Sequence, residues 1–166
     1  MAAMTVREAK RSDCREILRL IEELSVFEKA PHGPNINEKD LERDAFDVDH
    51  PFFFCYVIED PRDESKLIAY AMCYYTYGTW TGKRLYLRDL YVTETYRGKG
   101  IGNLLFKKVV QKAEETNCTD MAWTVLNWNP ATDFYKARGA RDMTEAEAWH
   151  VFRLGPESMK SVAGKI

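Results

Sequence analysis

Three consecutive segments rich in aromatic and β-branched residues occupy the middle of the chain and constrain its fold more than any other feature. They span residues 52–59, 67–77 and 84–93, and the turn-like sequences DPRDES and GTWTG separate them. Short turns of this kind join neighbouring antiparallel strands, whereas parallel strands need a longer crossover. The pattern therefore predicts three antiparallel strands in succession.

The segment before this region predicts one short strand and two helices. Residues 4–9 have the character of a strand, and apolar residues at helical spacing follow Ser12, which we expect to cap the first helix. After a loop, Asn37 is placed to cap a shorter helix that runs to about Ala45.

The segment after it predicts a crossover and a second helix–strand pair. A helix is expected from Ile101 to about Asn117, then a strand at 121–126, a short helix at 130–138 and a last strand at 149–154. The unit from residue 84 to residue 126 should be a right-handed crossover with parallel strands. We therefore expect an α/β (α+β) fold with a mixed, mostly antiparallel central sheet flanked by helices.

Length and charge limit the classes of protein to consider. A chain of 166 residues, without repeats or long linkers, predicts one domain over residues 1–166. The balance of 24 basic and 26 acidic residues, a net charge of −2, argues against a nucleic-acid binder or a polybasic membrane protein. The longest uncharged run, residues 67–82, falls short of the ~20 apolar residues that a membrane helix needs.

The cysteines and histidines show no metal-binding pattern. Four cysteines and three histidines are scattered without zinc-ligand spacing, so no metal is predicted. We expect free thiols in a reducing compartment. Because the first residues also lack the apolar core of a secretory signal, we expect a cytoplasmic protein.

A glycine-rich sequence with two cations marks the boundary between a strand and a helix. It reads Arg97-Gly98-Lys99-Gly100-Ile101-Gly102. Glycines let a bulky anion approach the backbone N–H groups, and a helix N-terminus adds partial positive charge. Neither a Walker A loop nor a dinucleotide fingerprint fits, because Gly100 follows Lys99 and Asn103 stands at the third glycine. The physical chemistry favours an anion site at this helix.

This sequence resembles the pyrophosphate loop, R/Q-x-x-G-x-G/A, of the GNAT superfamily of N-acetyltransferases. Within it, the chain is similar to the diamine (spermidine/spermine) acetyltransferases and to thialysine N-epsilon-acetyltransferases over nearly its whole length. The shared segments lie at residues 13–14, 17–21, 27–28, 50–52, 79–83, 96–98, 134–136 and 144–150. The resemblance implies a GNAT fold and an acetyl-CoA-dependent N-acetyltransferase.

The resemblance also implies where acetyl-CoA would bind. Backbone groups at the end of the preceding strand would line its pantetheine arm, and the glycine-rich loop would wrap its pyrophosphate. The residues so implied are Leu90, Tyr91, Val92, Arg97, Gly98, Lys99, Gly100, Ile101, Gly102, Asn103, Asn129 and Thr132.

Catalytic and acceptor-binding residues follow from the same resemblance. Tyr135 matches the tyrosine that protonates the departing thiolate. Phe27, Glu28 and Glu147 match positions that line the amine pocket, and Arg88 occupies a position tied to the substrate amine. A neutral amine would attack the thioester directly, without a covalent enzyme intermediate. The resemblance further implies a homodimer.

Two departures from the family pattern bear on the mechanism. Diamine acetyltransferases have Leu-Glu-Asp before the loop, whereas this chain has Arg88 in place of the glutamate and keeps only Asp89. A cation there would repel a cationic amine and cannot act as a base at neutral pH. Strand alternation predicts that Asp89 points to the opposite face and substitutes poorly. The spacing from Asn129 to Tyr135 is also one residue shorter than usual, which makes Tyr135 the better-anchored match.

These observations leave three functions open. The first is acetylation of a small primary amine such as thialysine or lysine, favoured because Gly78-Thr79-Trp80 stands in place of the Asp-Pro-Trp of spermidine/spermine enzymes. The second is a diamine or polyamine acetyltransferase. The third, suggested by Arg88, is an acetyl-CoA-binding regulatory module with impaired catalysis.

The charge is unevenly distributed along the chain. Residues 13–64 contain 15 acidic and 6 basic residues, a net charge of −9, whereas residues 65–166 carry a net charge of +5. The basic part contains the glycine-rich loop and the acidic part contains Glu28. This division suits an enzyme that takes one phosphate-rich and one cationic substrate.

Overall fold

Five strands form one sheet in the computed structural model, which describes residues 4–30 and 32–164. Neighbouring strands are antiparallel except for the last two, which are parallel. In spatial order, which is also chain order, they are β1 (Val6–Glu8), β2 (Phe54–Asp60), β3 (Asp63–Gly78), β4 (Gly82–Val92) and β5 (Asp120–Ala122). The predicted mixed, mostly antiparallel sheet and its three successive antiparallel strands are confirmed.

Six α-helices accompany the sheet in the described residues. They are α1 (Cys14–Phe27), α2 (Glu38–Ala45), α3 (Ile101–Glu115), α4 (Ala131–Lys136), α5 (Met143–Glu147) and α6 (Pro156–Ala163). The Asn37 side chain accepts hydrogen bonds from the backbone N–H groups of Lys39 and Asp40, as the sequence predicts for the cap of α2. The prediction for Ser12 is wrong, because Ser12 lies inside a 3-10 turn, Arg11–Asp13, and the residue before α1 is Asp13.

The helices α1 and α3 pack on opposite faces of the sheet. Alternate residues of β2, Cys55 and Val57, are buried with the apolar face of α1. The intervening Tyr56 faces the other way, where the ammonium group of Lys108 on α3 lies 5.7 Å from its ring centre. Strand alternation therefore produces two apolar layers, one on each side of the sheet.

The chain divides into two compact units, Met1–Thr124 and Val125–Ile166, and the prediction of a single domain stays a prediction. The second unit corrects one expectation. Residues 149–154 form no strand, and Trp149, Val151, Phe152 and Leu154 are exposed. Their β-branched and aromatic character favours a strand, but a strand also needs a hydrogen-bonded partner, and none is paired with this segment within residues 4–30 and 32–164.

The described residues also settle the state of the cysteines. All four are free, with Cys14, Cys55 and Cys73 buried and Cys118 partly buried, as predicted. In the same residues, no helix is long and apolar enough to cross a membrane.

An ion-pair network centred on Arg7 of β1 connects this strand to the start of α1 and to β2. The Arg7 guanidinium donates to both carboxylate oxygens of Asp13, at 2.7 and 3.0 Å, and its Nε donates to Glu59 at 2.8 Å. The Lys10 backbone N–H also donates to Asp13, at 2.8 Å. Burial alone raises the pKa of Asp13, but the hydrogen bonds from Arg7 and Lys10 and the charge of Arg7 outweigh it, so the pKa is lowered.

We predict that Asp13→Asn lowers the free energy of unfolding by about 2 kcal/mol at neutral pH, because it leaves Arg7 partly buried without its main partner. A lowered native pKa stabilises the fold above the ordinary aspartate pKa of about 4, and this stabilisation is lost as the pH falls through the lowered pKa. Denaturant titrations at several pH values should therefore show the difference shrinking in acid. Asp44→Asn, a partly exposed aspartate paired with the exposed Arg43, is the matched control and should change stability little. Equal losses in the two variants would contradict the structural role of Asp13.

Candidate active site

The strand β4 contains a β-bulge at Arg88. Across the ladder with β3, Met72 pairs with Asp89 and Cys73 pairs with Leu87, so Arg88 has no partner of its own in β3. An extra residue of this kind interrupts the alternation of side chains and bends the strand. The bulge therefore resets which residues of β4 face α1 and which face α3.

The residues beyond the bulge show this change of face. A Cβ atom at Gly102 of α3 would lie 3.7 Å from Leu90 and 3.8 Å from Val92, so these two residues face α3. Tyr91 instead belongs to the apolar cluster against α1. Side chains alternate between the two faces of a strand, so Asp89, two residues before Tyr91, lies with it on the α1 face. The extra residue of the bulge interrupts this alternation, so Arg88 lies on the α1 face as well.

This geometry corrects the expectation for Asp89. Its side chain lies with Arg88 and not opposite to it, and one Asp89 carboxylate oxygen is 3.7 Å from the Arg88 guanidinium. The buried Tyr70 hydroxyl donates a hydrogen bond to Asp89 at 3.2 Å. Burial raises the pKa of Asp89, and the charge of Arg88 and the hydrogen bond from Tyr70 offset this only in part.

The end of α1 adds a second carboxylate to this face. Glu28 is the C-terminal cap of α1 and is half-buried. Burial raises its pKa, the negative charge of Asp89 raises it further, and the positive charge of Arg88 lowers it. Glu28, Arg88 and Asp89 therefore form one electrostatic group, which we call the acidic cluster, beside the negative end of the α1 dipole. Such a group attracts a cationic ligand.

An adjacent polar pair does not by itself reveal the bulge in the sequence. Arg88 and Asp89 form such a pair in β4, but Lys83 and Arg84 form another in the same strand and pair with β3 without a register shift. Strict alternation therefore misplaces Asp89.

Two glycines of the glycine-rich loop have a backbone conformation that other residues rarely adopt. Gly98 and Gly100 have φ angles of 73° and 81°, in the left-handed region that favours glycine. Gly100 is the N-terminal cap of the 15-residue helix α3. No described atom lies within 4 Å of the position of a Cβ on either glycine, so the loop surface above them is open. The backbone here can be approached closely by a phosphate group.

The two cations of the loop are held by the protein itself. The Arg97 Nε donates to the Val92 carbonyl at 2.9 Å, and its guanidinium lies 4.6 Å from the ring centre of Phe27. The Lys99 ammonium donates to the Thr95 carbonyl at 3.1 Å. The structure thus brings Arg97 and Phe27 together, and Arg97 joins the end of β4 to the end of α1. The Ile101 side chain is buried, and the positive φ angles of Gly98 and Gly100 at the helix N-terminus lead us to expect that backbone N–H groups contribute to anion binding.

The end of β4 is open on the side of β5. The parallel ladder stops where Tyr86 pairs with Ala122, but β4 continues to Val92. Among the described residues, Leu90, Tyr91 and Val92 are paired in the sheet with β3 alone. The Thr93 N–H donates to the Ile68 carbonyl, so alternation directs the backbone groups of Tyr91 toward β3 and those of Leu90 and Val92 toward the unpaired edge. Leu90 and Val92 therefore have backbone groups that can form hydrogen bonds with a ligand.

The second compact unit holds the remaining predicted residues. Tyr135 lies on α4, is half-buried, and packs edge-to-face against Phe134 with ring centres 5.1 Å apart. Burial raises the pKa of Tyr135 to about 12. Its hydroxyl therefore keeps its proton at neutral pH, as a general acid must.

Asn129 and Thr132 shape the start of α4. The Asn129 side chain accepts from the Ala131 N–H at 2.9 Å, and the Thr132 hydroxyl donates to the Asn129 carbonyl at 2.9 Å. Glu147, at the end of α5, accepts from the Trp149 indole at 2.7 Å. These three residues have local structural partners, and their predicted roles in binding stay predictions.

No group of three or more metal-binding side chains converges within residues 4–30 and 32–164.

The family model for the acetyltransferase (GNAT) family matches residues 12–140. The chain belongs to the GNAT acetyltransferase family. The match includes the glycine-rich loop, the bulged strand and Tyr135, and it confirms the fold and the acetyltransferase activity that the sequence resemblance implies.

Two curated GNAT relatives and one solved structure define the similarity. The chain is 45% identical over 172 positions to thialysine N-epsilon-acetyltransferase of Sus scrofa, covering 99% of this chain and 100% of the relative. It is 42% identical to spermidine/spermine N(1)-acetyltransferase-like protein 1 of Homo sapiens, covering 95% of this chain and 23% of that protein. An integron cassette protein from V. cholerae shares the fold, with a TM-score of 0.76, 21% identity and coverage of 98% and 99% of the two chains.

Two glycines of the GNAT loop should respond differently to alanine. We predict that Gly100→Ala weakens CoA binding and costs about 1 kcal/mol of stability, because alanine is strained at a left-handed φ angle. Gly102→Ala is the matched control, since its Cβ would make only ordinary contacts with Leu90 and Val92 and alanine favours the helix. Calorimetric CoA titration and thermal unfolding measure both. Equal CoA affinities in the two variants would count against the predicted role of the loop conformation.

Asp89 should affect the pH dependence of stability in the opposite direction to Asp13. Because the native pKa of Asp89 is raised, its ionisation costs stability as the pH rises from below about 4 through the raised value. Asn keeps an acceptor for Tyr70 without the charge. We predict that Asp89→Asn raises the thermal midpoint at neutral pH and has less effect in acid. If the variant were destabilised at neutral pH, the pairing with Arg88 would outweigh burial.

Proposed function

We propose that this acetyltransferase transfers the acetyl group of acetyl-CoA to a primary amine of a small cationic acceptor similar to thialysine or lysine. The observation that carries the proposal is one compact unit that holds both an open anion-binding loop and the acidic cluster. The loop suits the phosphates of CoA, and the cluster suits a cationic amine. The name of the 45%-identical relative, thialysine N-epsilon-acetyltransferase, supports an acceptor of this class.

The residues present fit acetyl-CoA, which would supply an activated acetyl thioester. The backbone N–H groups from Gly98 to Gly102, at the positive end of the α3 dipole, would bind the pyrophosphate. The edge of β4 at Leu90 and Val92, with Tyr91 between them, would hold the pantetheine arm through the backbone groups that face this edge, and one N–H here would stabilise the developing oxyanion. We also propose Asn103, Asn129 and Thr132 as acetyl-CoA-binding residues.

The acidic cluster would attract the acceptor through its charge. Glu28 and Asp89 carry the negative charge, and Phe27 lies at the end of α1 beside Glu28. Only a neutral amine can attack a thioester, so the attacking amine must first lose one proton to water or to a base. Glu147 is a further proposed acceptor contact.

Tyr135 is the proposed general acid toward the departing thiolate. The resemblance implies this role, which requires the protonated hydroxyl that a tyrosine has at neutral pH. Positioning of the two substrates would supply much of the remaining acceleration.

Acetylation of longer polyamines is the second candidate. It is favoured by the 42% identity to the human spermidine/spermine acetyltransferase-like protein. Release of free thiol from acetyl-CoA with thialysine, lysine, spermidine and putrescine separates the candidates by their kcat/KM values. Saturable CoA binding without release for any amine would overturn both and favour a regulatory acetyl-CoA-binding module.

The proposal includes a cytoplasmic homodimer. The four free cysteines support a reducing compartment, and the family resemblance supports the dimer. Sedimentation equilibrium of the purified chain tests the oligomeric state, and a monomer at micromolar concentration would contradict it.

We predict that Tyr135→Phe lowers kcat by about 10²-fold, the usual contribution of a positioned acid, and leaves CoA affinity nearly unchanged. Thiol release measures turnover and calorimetry measures binding. Tyr77→Phe, which removes the hydroxyl of an exposed tyrosine on β3, is the matched control and should retain full activity. A Tyr135→Phe variant as active as the parent would remove Tyr135 from the mechanism.

A further inference from the structure

Arg88 is much less paired than Arg7 and Arg84, two other arginines of the sheet. Arg7 and Arg84 each use two nitrogens on one carboxylate, with Arg84 at 2.5 and 2.6 Å from the oxygens of Asp120. Arg88 makes one long contact, 3.7 Å to Asp89, and no hydrogen bond with any residue among 4–30 and 32–164. Its side chain is 50% exposed. Most of its hydrogen-bonding capacity therefore remains available to a ligand.

The bulge places the Arg88 guanidinium beside the Asp89 carboxylate, on the same face of the sheet. Arg88 and Asp89 are consecutive residues on the same face of β4, and Glu28 lies within electrostatic range of both. A positive group thus adjoins negative groups along one surface. A ligand complementary to this arrangement carries a negative group directly beside a positive one.

This chemistry separates two classes of acceptor. A guanidinium binds a carboxylate through two parallel hydrogen bonds, and the flanking carboxylates bind an ammonium group. The head of an α-amino acid has both groups on one carbon atom. A diamine of the same length has only cations, so it gains nothing from Arg88 and is repelled by it.

We propose that Arg88 binds the carboxylate of the acceptor and so selects amino acids over diamines. This inference rests on the proposed function, since it specifies the acceptor of the same acetyl transfer. Arg88 acts on selectivity, and the acidic cluster binds the ammonium group beside the carboxylate.

Two matched pairs of acceptors test the inference. Lysine and 1,5-diaminopentane differ only by the carboxylate, as do ornithine and 1,4-diaminobutane. We expect kcat/KM for thiol release from acetyl-CoA to favour the amino acid of each pair by about tenfold or more, as one partly exposed charge pair can provide. Calorimetric titration of each acceptor into the CoA-bound protein gives a second readout that is independent of turnover.

Variants of Arg88 give the inference its sharpest test. Arg88→Gln should bring the ratio close to one, and Arg88→Glu should invert it in favour of the diamines. Arg88→Lys keeps the charge but not the planar fork, so it should retain only part of the preference. Arg43→Gln, an exposed arginine on α2, is the control and should leave the ratio unchanged. Because Arg88 is half-exposed, thermal unfolding should confirm that all four variants fold.

The outcomes distinguish this inference from the function on which it rests. Equal kcat/KM values within each pair, unaltered in Arg88→Glu, would overturn the role of Arg88 and leave amine acetylation intact. Absence of thiol release with every acceptor would refute the proposed function. Calorimetry then decides the inference: lysine binding that is lost in Arg88→Gln supports it, and equal binding of lysine and 1,5-diaminopentane overturns it.

Discussion

The β-bulge at Arg88 is the constraint on which the site depends. It allows Leu87 before it and Leu90 after it to stay in apolar surroundings while two consecutive polar residues share the face of α1. Without the extra residue, alternation would direct either Arg88 or Asp89 into the layer beneath α3. The same bend lies just before the open edge at the end of β4, so one irregularity serves both the acceptor side and the cofactor side of the first unit.

The two ends of that unit have opposite electrostatic character for different reasons. At the glycine-rich loop, the positive potential comes from backbone N–H groups, the helix dipole and the charges of Arg97 and Lys99, whose side chains donate to backbone carbonyls of the protein. At the acidic cluster, the potential comes from side chains whose burial raises their pKa values. Arg97 connects the two through its contacts with Val92 and Phe27. The uneven distribution of charge along the chain thus becomes two distinct binding surfaces.

Short-range sequence patterns predicted most of the secondary structure. They failed where a residue distant in the sequence determines the local conformation. The three antiparallel strands and the Asn37 cap follow from short turns and short-range hydrogen bonds, which a linear sequence displays. Ser12 instead lies inside a 3-10 turn, in which the Asp13 carboxylate accepts hydrogen bonds from Arg7, six residues before it, and from the Lys10 N–H. The strand expected at 149–154 has suitable residues, but no strand is paired with it among the described residues. The β-propensity of a segment does not show whether another strand is available to pair with it.

By itself, the sequence determined the strand order of the meander, the left-handed glycines before α3 and membership of the GNAT family. These properties depend on short-range patterns, because turn length, positive φ angles and helix caps are set by neighbouring residues. The tertiary structure alone decided that Asp89 lies beside Arg88 and Glu28, and that the cations of the loop are engaged by the protein. Both depend on how β3, β4 and α1 fit together, since a bulge is a relation between two strands and burial is a relation among three elements.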